Sequence, residues 1–265
     1  MKTKRINFWA FFWVVLAFLY FFLPMYGTLD FSLRMKKGVL SLLAYQKVLA
    51  DPQFLASFRY SAIMGVITVI FSILLFVPTV YWIHLKMRQL RPLVEIITIL
   101  PFIIPVIVYV FGLIRTFSGP PFQLTLTPFK TDILMVAGYI VLAMPYMFRA
   151  IDVGMQTIDV RTLTEAAQSL GANWAQILFN VIFPNLRTAI LSGALISFAL
   201  VIGELILGDF LARPALGPYM VEVGRDMAYQ PAALAIMSYA LTWICLGLIT
   251  LFSRSNNNQR QILGR

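Results

Sequence analysis

Two residue types that build many enzyme and metal sites are almost missing from this sequence, which has one cysteine and one histidine. A lone cysteine closes no intrachain disulfide, and Cys245, inside an apolar run, reads as a small apolar residue. His84 stands beside Lys86 and Arg88 and reads as interfacial; without partner ligands it marks no metal site. Charge is scarce as well. Charged residues make up 12% of the chain, against about 25% in a soluble domain. That is too little polar side chain to cover a surface in water, so lipid must cover part of it. No Gly-x4-Gly-Lys-Ser/Thr phosphate loop is present, which excludes ATP hydrolysis by that route. No basic stretch is interleaved with aromatics as in a nucleic-acid groove. The net charge of +10 therefore points to membrane headgroups and away from nucleic acid.

What is abundant is apolar: 60% of residues, for a mean hydropathy of +0.83. About 20 apolar residues make a membrane-crossing helix, and six runs qualify: 6–26, 60–83, 93–117, 132–151, 189–210 and 231–252. The expectation is an all-α integral membrane protein, residues 1–265 forming one domain of about six transmembrane helices. The first run follows Lys2, Lys4 and Arg5 and looks like a signal peptide. It is longer than the usual apolar region of about 7–15 residues, and no small-x-small cleavage site follows, so it reads as a retained helix. Pro101, Pro105 and Pro145 kink their spans, either as ordinary membrane-helix prolines or as the bent lining of a pathway. The polar tail, 253–265, reads as loosely ordered. Six spans put both termini on one side. The N-terminal basic cluster and the short turn with Lys86, Arg88 and Arg91 place that side in the cytoplasm.

Between the fourth and fifth spans hydropathy falls over residues 152–187. Thr164 to Leu170 is helix-compatible, Gly171 can end that helix, and Asn173 can cap a second short helix reaching Phe179. Two short helices at an angle make a knob projecting from the membrane. Ala166 and Ala167 leave room for another backbone, and Trp174, Ile177, Leu178 and Phe179 supply an apolar face. Glu165-Ala166-Ala167, three residues, Gly171, nine residues and Val181-Ile182-Phe183-Pro184 resemble the EAA loop of binding-protein-dependent ABC import permeases, whose pattern is E-A-A-x3-G-x9-I-x-L-P. Val181 and Phe183 stand where Ile and Leu are usual. A weaker likeness runs through Tyr45, Val48 to Pro52, Phe54 and Ser57 to Ser61.

The resemblance implies a MetI-like permease fold with a cytoplasmic coupling helix. Glu165, Ala166, Ala167, Leu170, Gly171, Ala172, Trp174 and Pro184 would lie at the joint with a separate ABC ATPase dimer, which would bind the ATP and magnesium. This chain would carry no cofactor, metal or catalytic residue. A second permease, identical or homologous, an extracytoplasmic binding protein and a bacterial cytoplasmic (inner) membrane complete the implied setting.

The solute is less determined. Glu204 and Asp209 lie at membrane depth, five residues and roughly 140° apart on a helix. Buried acids often mark a pathway, and two of them suit a cation. The alternative is that Asp209 sits at the outer interface and Glu204 pairs with a base on another helix. Glu95 and Arg115 read as snorkelling at span ends. Sugar permeases usually show Asp before the loop glycine; here Leu170 resembles the polyamine, ferric-iron and inorganic-anion branches. Spermidine/putrescine-type import leads, with ferric iron, a phosphonate or an oxyanion open. A lipid-acting membrane enzyme would need a polar cluster not evident here, and an ion-coupled secondary transporter usually has more spans.

Overall fold

A computed structural model describes residues 8–263, and apart from one isolated bridge between Lys36 and Val39 the regular structure among the described residues is helical. In chain order the helices are α1 (Phe8–Leu33), α2 (Leu43–Ala50), α3 (Pro52–Leu85), α4 (Arg91–Ile103), α5 (Val106–Phe117) and α6 (Pro128–Gln156). Then follow α7 (Val160–Ser169), α8 (Trp174–Gln176), a π-helical stretch Ile177–Ile182, α9 (Phe183–Gly203), α10 (Ile206–Phe210), α11 (Leu216–Asp226) and α12 (Tyr229–Leu263). Five segments are long and apolar enough to cross a membrane: in α1, α3, α6, Trp174–Gly203 and α12. The expected first span and its basic cluster begin outside the described residues.

Three expectations change. Residues 93–117 are not one straight span: α4 and α5 meet at 102°. Pro105 has no N–H to continue the helix and drives Ile104 into extended backbone, φ −85° and ψ 120°, whereas Pro101 sits inside α4 without ending it. The run 189–210 breaks at Glu204, φ −78° and ψ 128°. The tail is helical to Leu263; residues 253–263 contain neither Pro nor Gly to stop α12.

The chain divides into two compact units. The smaller comprises the stretch up to Leu55 with Met220–Ala240. In it α1 is mostly apolar, and most of its described side chains are exposed, as suits a helix sheathed in lipid or by a partner. Ser32 and Tyr45 join their hydroxyls at 2.7 Å, and the rings of Phe31 and Tyr229 stack at 4.8 Å.

The larger unit, Ala56–Tyr219 with Leu241–Arg265, is organised by α6 against α9. Small residues permit this closeness. A Cβ on Gly154 would lie 2.5 Å from the Cβ of Ala189, and one on Gly193 would lie 2.9 Å from Met147 Sδ. One core cluster holds Tyr81, Met147, Ile151, Met155, Ile177, Ile182 and Leu186, near the connection between α6 and α9. A second holds Val110, Leu134, Met135, Tyr139, Val201 and Leu207.

Gly154→Ala would force α6 and α9 apart, because neither backbone nor a methyl can step aside. It should destabilise the purified protein by about 1–3 kcal/mol, read as a lower thermal midpoint in detergent. Adding Ala189→Gly should recover most of the loss; no recovery would show that the contact is not the cause.

Candidate functional site

The stretch between α6 and α9 is built from local hydrogen-bond logic. Asp159 caps α7, accepting from the Thr162 hydroxyl at 2.7 Å and the Thr162 N–H at 3.1 Å, bonds that hold its carboxyl below the usual range. At the other end, the Ala172 N–H reaches Ala167 O at 3.0 Å and the Gly171 N–H reaches Gln168 O at 2.9 Å. That pair is a Schellman ending, which needs a left-handed residue, and Gly171 supplies it at φ +82°. Asn173 and Gln176 then form a capping box, with bonds of 2.8 and 2.9 Å.

The second helix does not stop at Phe179 as the sequence suggests; it runs unbroken from Trp174 to Gly203. Pro184 accounts for the widened turn within it. In a plain α-helix its ring would press on the carbonyl of Asn180. Instead the Phe183 N–H reaches back five residues to Leu178 O, and the Asn185 side chain donates to Val181 O at 2.8 Å.

The knob is seated on α3 and α6. Thr164 is buried and bonds the Tyr81 hydroxyl at 3.0 Å. The rings of Trp174 and Trp82 lie 4.8 Å apart, with Lys86 Nζ 5.3 Å from each, a cation shared by two indoles. Beneath them Asp152, 4% exposed, receives His84 Nε2 at 2.7 Å, Arg91 Nη2 at 2.9 Å and Gln156 Nε2 at 2.7 Å. Arg91 also bonds Glu95 at 3.0 Å. One buried carboxylate thus ties the end of α3, the start of α4 and the end of α6.

Of the loop residues singled out from the sequence, Glu165, Ala166, Leu170, Gly171, Trp174 and Pro184 are exposed, Leu170 at 89%, and Ala172 is half-buried. Ala167 turns inward to the core. Glu165 pairs with Arg161 at 2.8 Å in the open, a contact of small energetic weight.

Near the start of α3 and of α6 a second network links Tyr60, Asp132 and Arg213. Tyr60 donates to Asp132, and Arg213 reaches Asp132 at 2.7 Å and the Tyr60 hydroxyl at 3.1 Å. Ser61 Oγ accepts the Leu216 N–H at 2.8 Å. Glu204 sits at the break after α9, where its two oxygens accept the N–H groups of Ile206 at 2.7 Å and Leu207 at 2.9 Å. Asp209 lies on α10, exposed. The two acids therefore do different things: Glu204, at the break, caps backbone, and Asp209, on α10, is exposed.

Sequence reasoning missed the Asp152 hub, the contact of Lys86 with the two indoles and the Tyr60 network. The available signal was an acid at the end of one span with His84 and Arg91 flanking the turn between two others. No group of three or more His, Cys, Asp or Glu able to hold a metal occurs among the described residues.

Residues 54–262 match the family model for the binding-protein-dependent transport system inner membrane component. The chain is 26% identical over 196 residues to the ferric transport system permease FbpB of Actinobacillus pleuropneumoniae, covering 71% of this chain and 27% of that one. It is 25% identical to the spermidine/putrescine permease PotB of Haemophilus influenzae, over 73% and 72% of the two chains. With the sulfate permease CysT of Escherichia coli it shares 26% identity over 88% of each. It spans about a quarter of the length of the ferric relatives it matches. Its fold is like that of a bacterial alginate ABC transporter solved with an alginate-bound periplasmic protein, with TM-score 0.65, 18% identity, and 96% and 94% of the chains covered. It is also like that of the MetNI methionine ABC transporter, with TM-score 0.57, 16% identity, and 76% and 94% covered.

Asp152→Ala would leave His84 and Gln156 without this acceptor and Arg91 with Glu95 alone. The expected cost is about 3 kcal/mol or more, seen as a large fall in thermal midpoint, with Asp152→Asn losing less. A midpoint unchanged in both variants would mean the hub does not hold the helices together.

Proposed function

The chain belongs to the family of binding-protein-dependent transport system inner membrane components, and from that membership we propose that it is the permease subunit of an ATP-binding-cassette importer. It is a transport subunit and not an enzyme. The observation that carries the reading is the exposed knob of α7 and Trp174, closed by the Gly171 Schellman turn and anchored to α3 through Thr164, Trp174 and Lys86. A surface that is open outward and rigidly tied inward suits a joint that passes motion from an ATPase pair to membrane helices. In this reading Glu165, Ala166, Leu170, Gly171 and Ala172 meet the ATPase dimer. The knob and both termini lie in the cytoplasm of a bacterial cell, a second permease completes the pathway, and a binding protein delivers the solute from outside. The alginate transporter of like fold, solved with its periplasmic protein, supports that set of partners.

Two finer readings of the solute make opposite demands. A polyamine of spermidine or putrescine type needs acids facing the path; Asp209 is exposed, and PotB is named for such solutes. Glu204, the other half of that argument, has its oxygens engaged by backbone N–H groups. For an anionic solute, relatives named for sulfate and for molybdate/tungstate have similar identity. Ferric iron has the same standing by identity, without a cluster of acids in the described residues to favour it.

Expressed with its neighbouring genes, the chain should bring down an ATPase on purification. Gly171→Ala imposes a strained left-handed residue, costing about 1 kcal/mol locally. It should lower transport-coupled ATP hydrolysis several-fold while the complex still inserts; Glu165→Lys should do the same through the surface alone. Normal coupling in both variants would count decisively against the joint.

A further inference from the structure

Resting on the permease reading, we propose that Tyr60, Asp132 and Arg213 form a releasable latch on the turn after α10. Arg213 is the positioning residue that closes it, and its closure sets the resting state of the importer. The latch stands at the starts of α3 and α6, whereas the knob is seated where α3 ends and α6 leads into α7. In the permease reading it is therefore on the outer side.

The helices α7 and α10 end on the same device. The Arg213 N–H reaches Gly208 O at 2.8 Å and the Ala212 N–H reaches Asp209 O at 3.0 Å, the pair of bonds that also closes α7 at Gly171. Both endings need a left-handed residue. On α7 that residue is Gly171; on α10 it is Ala212, at φ +51°. A Cβ makes this conformation costly, so the turn on α10 is strained where the turn on α7 is relaxed. Strain of this kind persists only where the surroundings enforce it.

The enforcing contacts fall on the residues that follow. Arg213, next in the chain, reaches Asp132 at 2.7 Å and the Tyr60 hydroxyl at 3.1 Å, with its guanidinium 5.6 Å from the Tyr60 ring. Tyr60 in turn donates to Asp132. Three residues on, the buried Ser61 hydroxyl accepts the Leu216 N–H. The Arg213 and Asp132 side chains are 15% and 21% exposed: shielded enough for the pair to hold, and wet enough for it to part without sealing a bare charge inside. Behind the turn lies the end of the long helix Trp174–Gly203. A Cβ on Gly217 would fall 2.5 Å from Glu204 O, so there is no slack between them. A tilt of that helix pushes on the turn, and the latch resists it. A strained turn held by polar bonds to two other helices has two positions. Closed, the bonds are made and Ala212 is left-handed; released, the strain is relieved and the polar groups turn to water.

Amide hydrogen exchange in the purified chain reads the latch itself. The Arg213 and Leu216 amides should exchange about tenfold faster in Arg213→Gln and in Asp132→Asn than in the native chain, as for loss of one charge-assisted hydrogen bond. The double variant should be no faster than either single one, because both remove the same contact. In the complete importer, with its ATPase and partner permease in nanodiscs, both single variants should raise ATP hydrolysis several-fold in the absence of binding protein, with Arg213→Lys in between. A contact that only stabilised the fold would lower the thermal midpoint and leave that hydrolysis level or reduced. Ala212→Gly removes the strain and keeps the bonds, and should move both readouts the other way. Exchange unchanged in both single variants overturns the latch, as does hydrolysis that stays level when exchange rises, or Ala212→Gly acting in the same direction as Arg213→Gln. Should the charge variants fail to fold, Tyr60→Phe keeps the ring and should speed exchange a few-fold; no change there is equally fatal. A native chain that brings down no ATPase undoes the permease reading instead, and exchange in the purified chain then decides the latch alone.

Discussion

In hydrocarbon a peptide group has no water to turn to, so every interruption of a helix must be repaired from within the protein. The structure depends on that constraint at several places. Where α9 stops, Glu204 offers both carboxylate oxygens to the N–H groups of Ile206 and Leu207. Where α11 starts, Ser61 accepts the N–H of Leu216. Where Pro184 would press on the turn before it, the helix widens and Asn185 takes up the Val181 carbonyl. Polar residues that look like solute ligands in a sequence can thus be spent on backbone. The carboxylate oxygens of Glu204 are engaged in this way.

The same economy explains the loop. Each of its ends is closed by a capping device, and its inner face is continuous with the core that includes Tyr81, Met155 and Ile177. Asp152 extends the anchorage sideways by holding three neighbours at once. A knob that kept its own shape but floated on the membrane surface could transmit nothing; a knob seated on α3 and continuous with α9 moves only if they move.

Much of this was legible in the residues. The apolar runs gave the spans, and Glu165 to Pro184 gave the family, because the pattern encodes local physics: a left-handed glycine at 171 and a proline-widened turn at 184. Asn173 was readable as a cap for the same reason. The 102° bend between α4 and α5 was only half legible: Pro101 and Pro105 are both visible, yet only the second breaks the span. Contacts between distant segments were not legible. Nothing in the order of residues says that His84 and Arg91 meet on Asp152, or that Lys86 sits over two tryptophans 92 positions apart, since such meetings arise from packing. The inward turn of Ala167 belongs to the same class.

The unbroken run from Trp174 to Gly203 has a mechanical meaning. At about 1.5 Å per residue its 30 residues make a rod of roughly 45 Å whose one irregularity is the widened turn at Ile177–Ile182. Its pivot is the crowded crossing where Gly193 meets Met147 and Ala150. Tilting one end about that fulcrum swings the other in the opposite direction, so an inward pull on the tryptophan end splays the end that stops at the Glu204 break. In the permease reading proposed above, such a lever would couple the tryptophan end to the Glu204 break with no separate signal running between them.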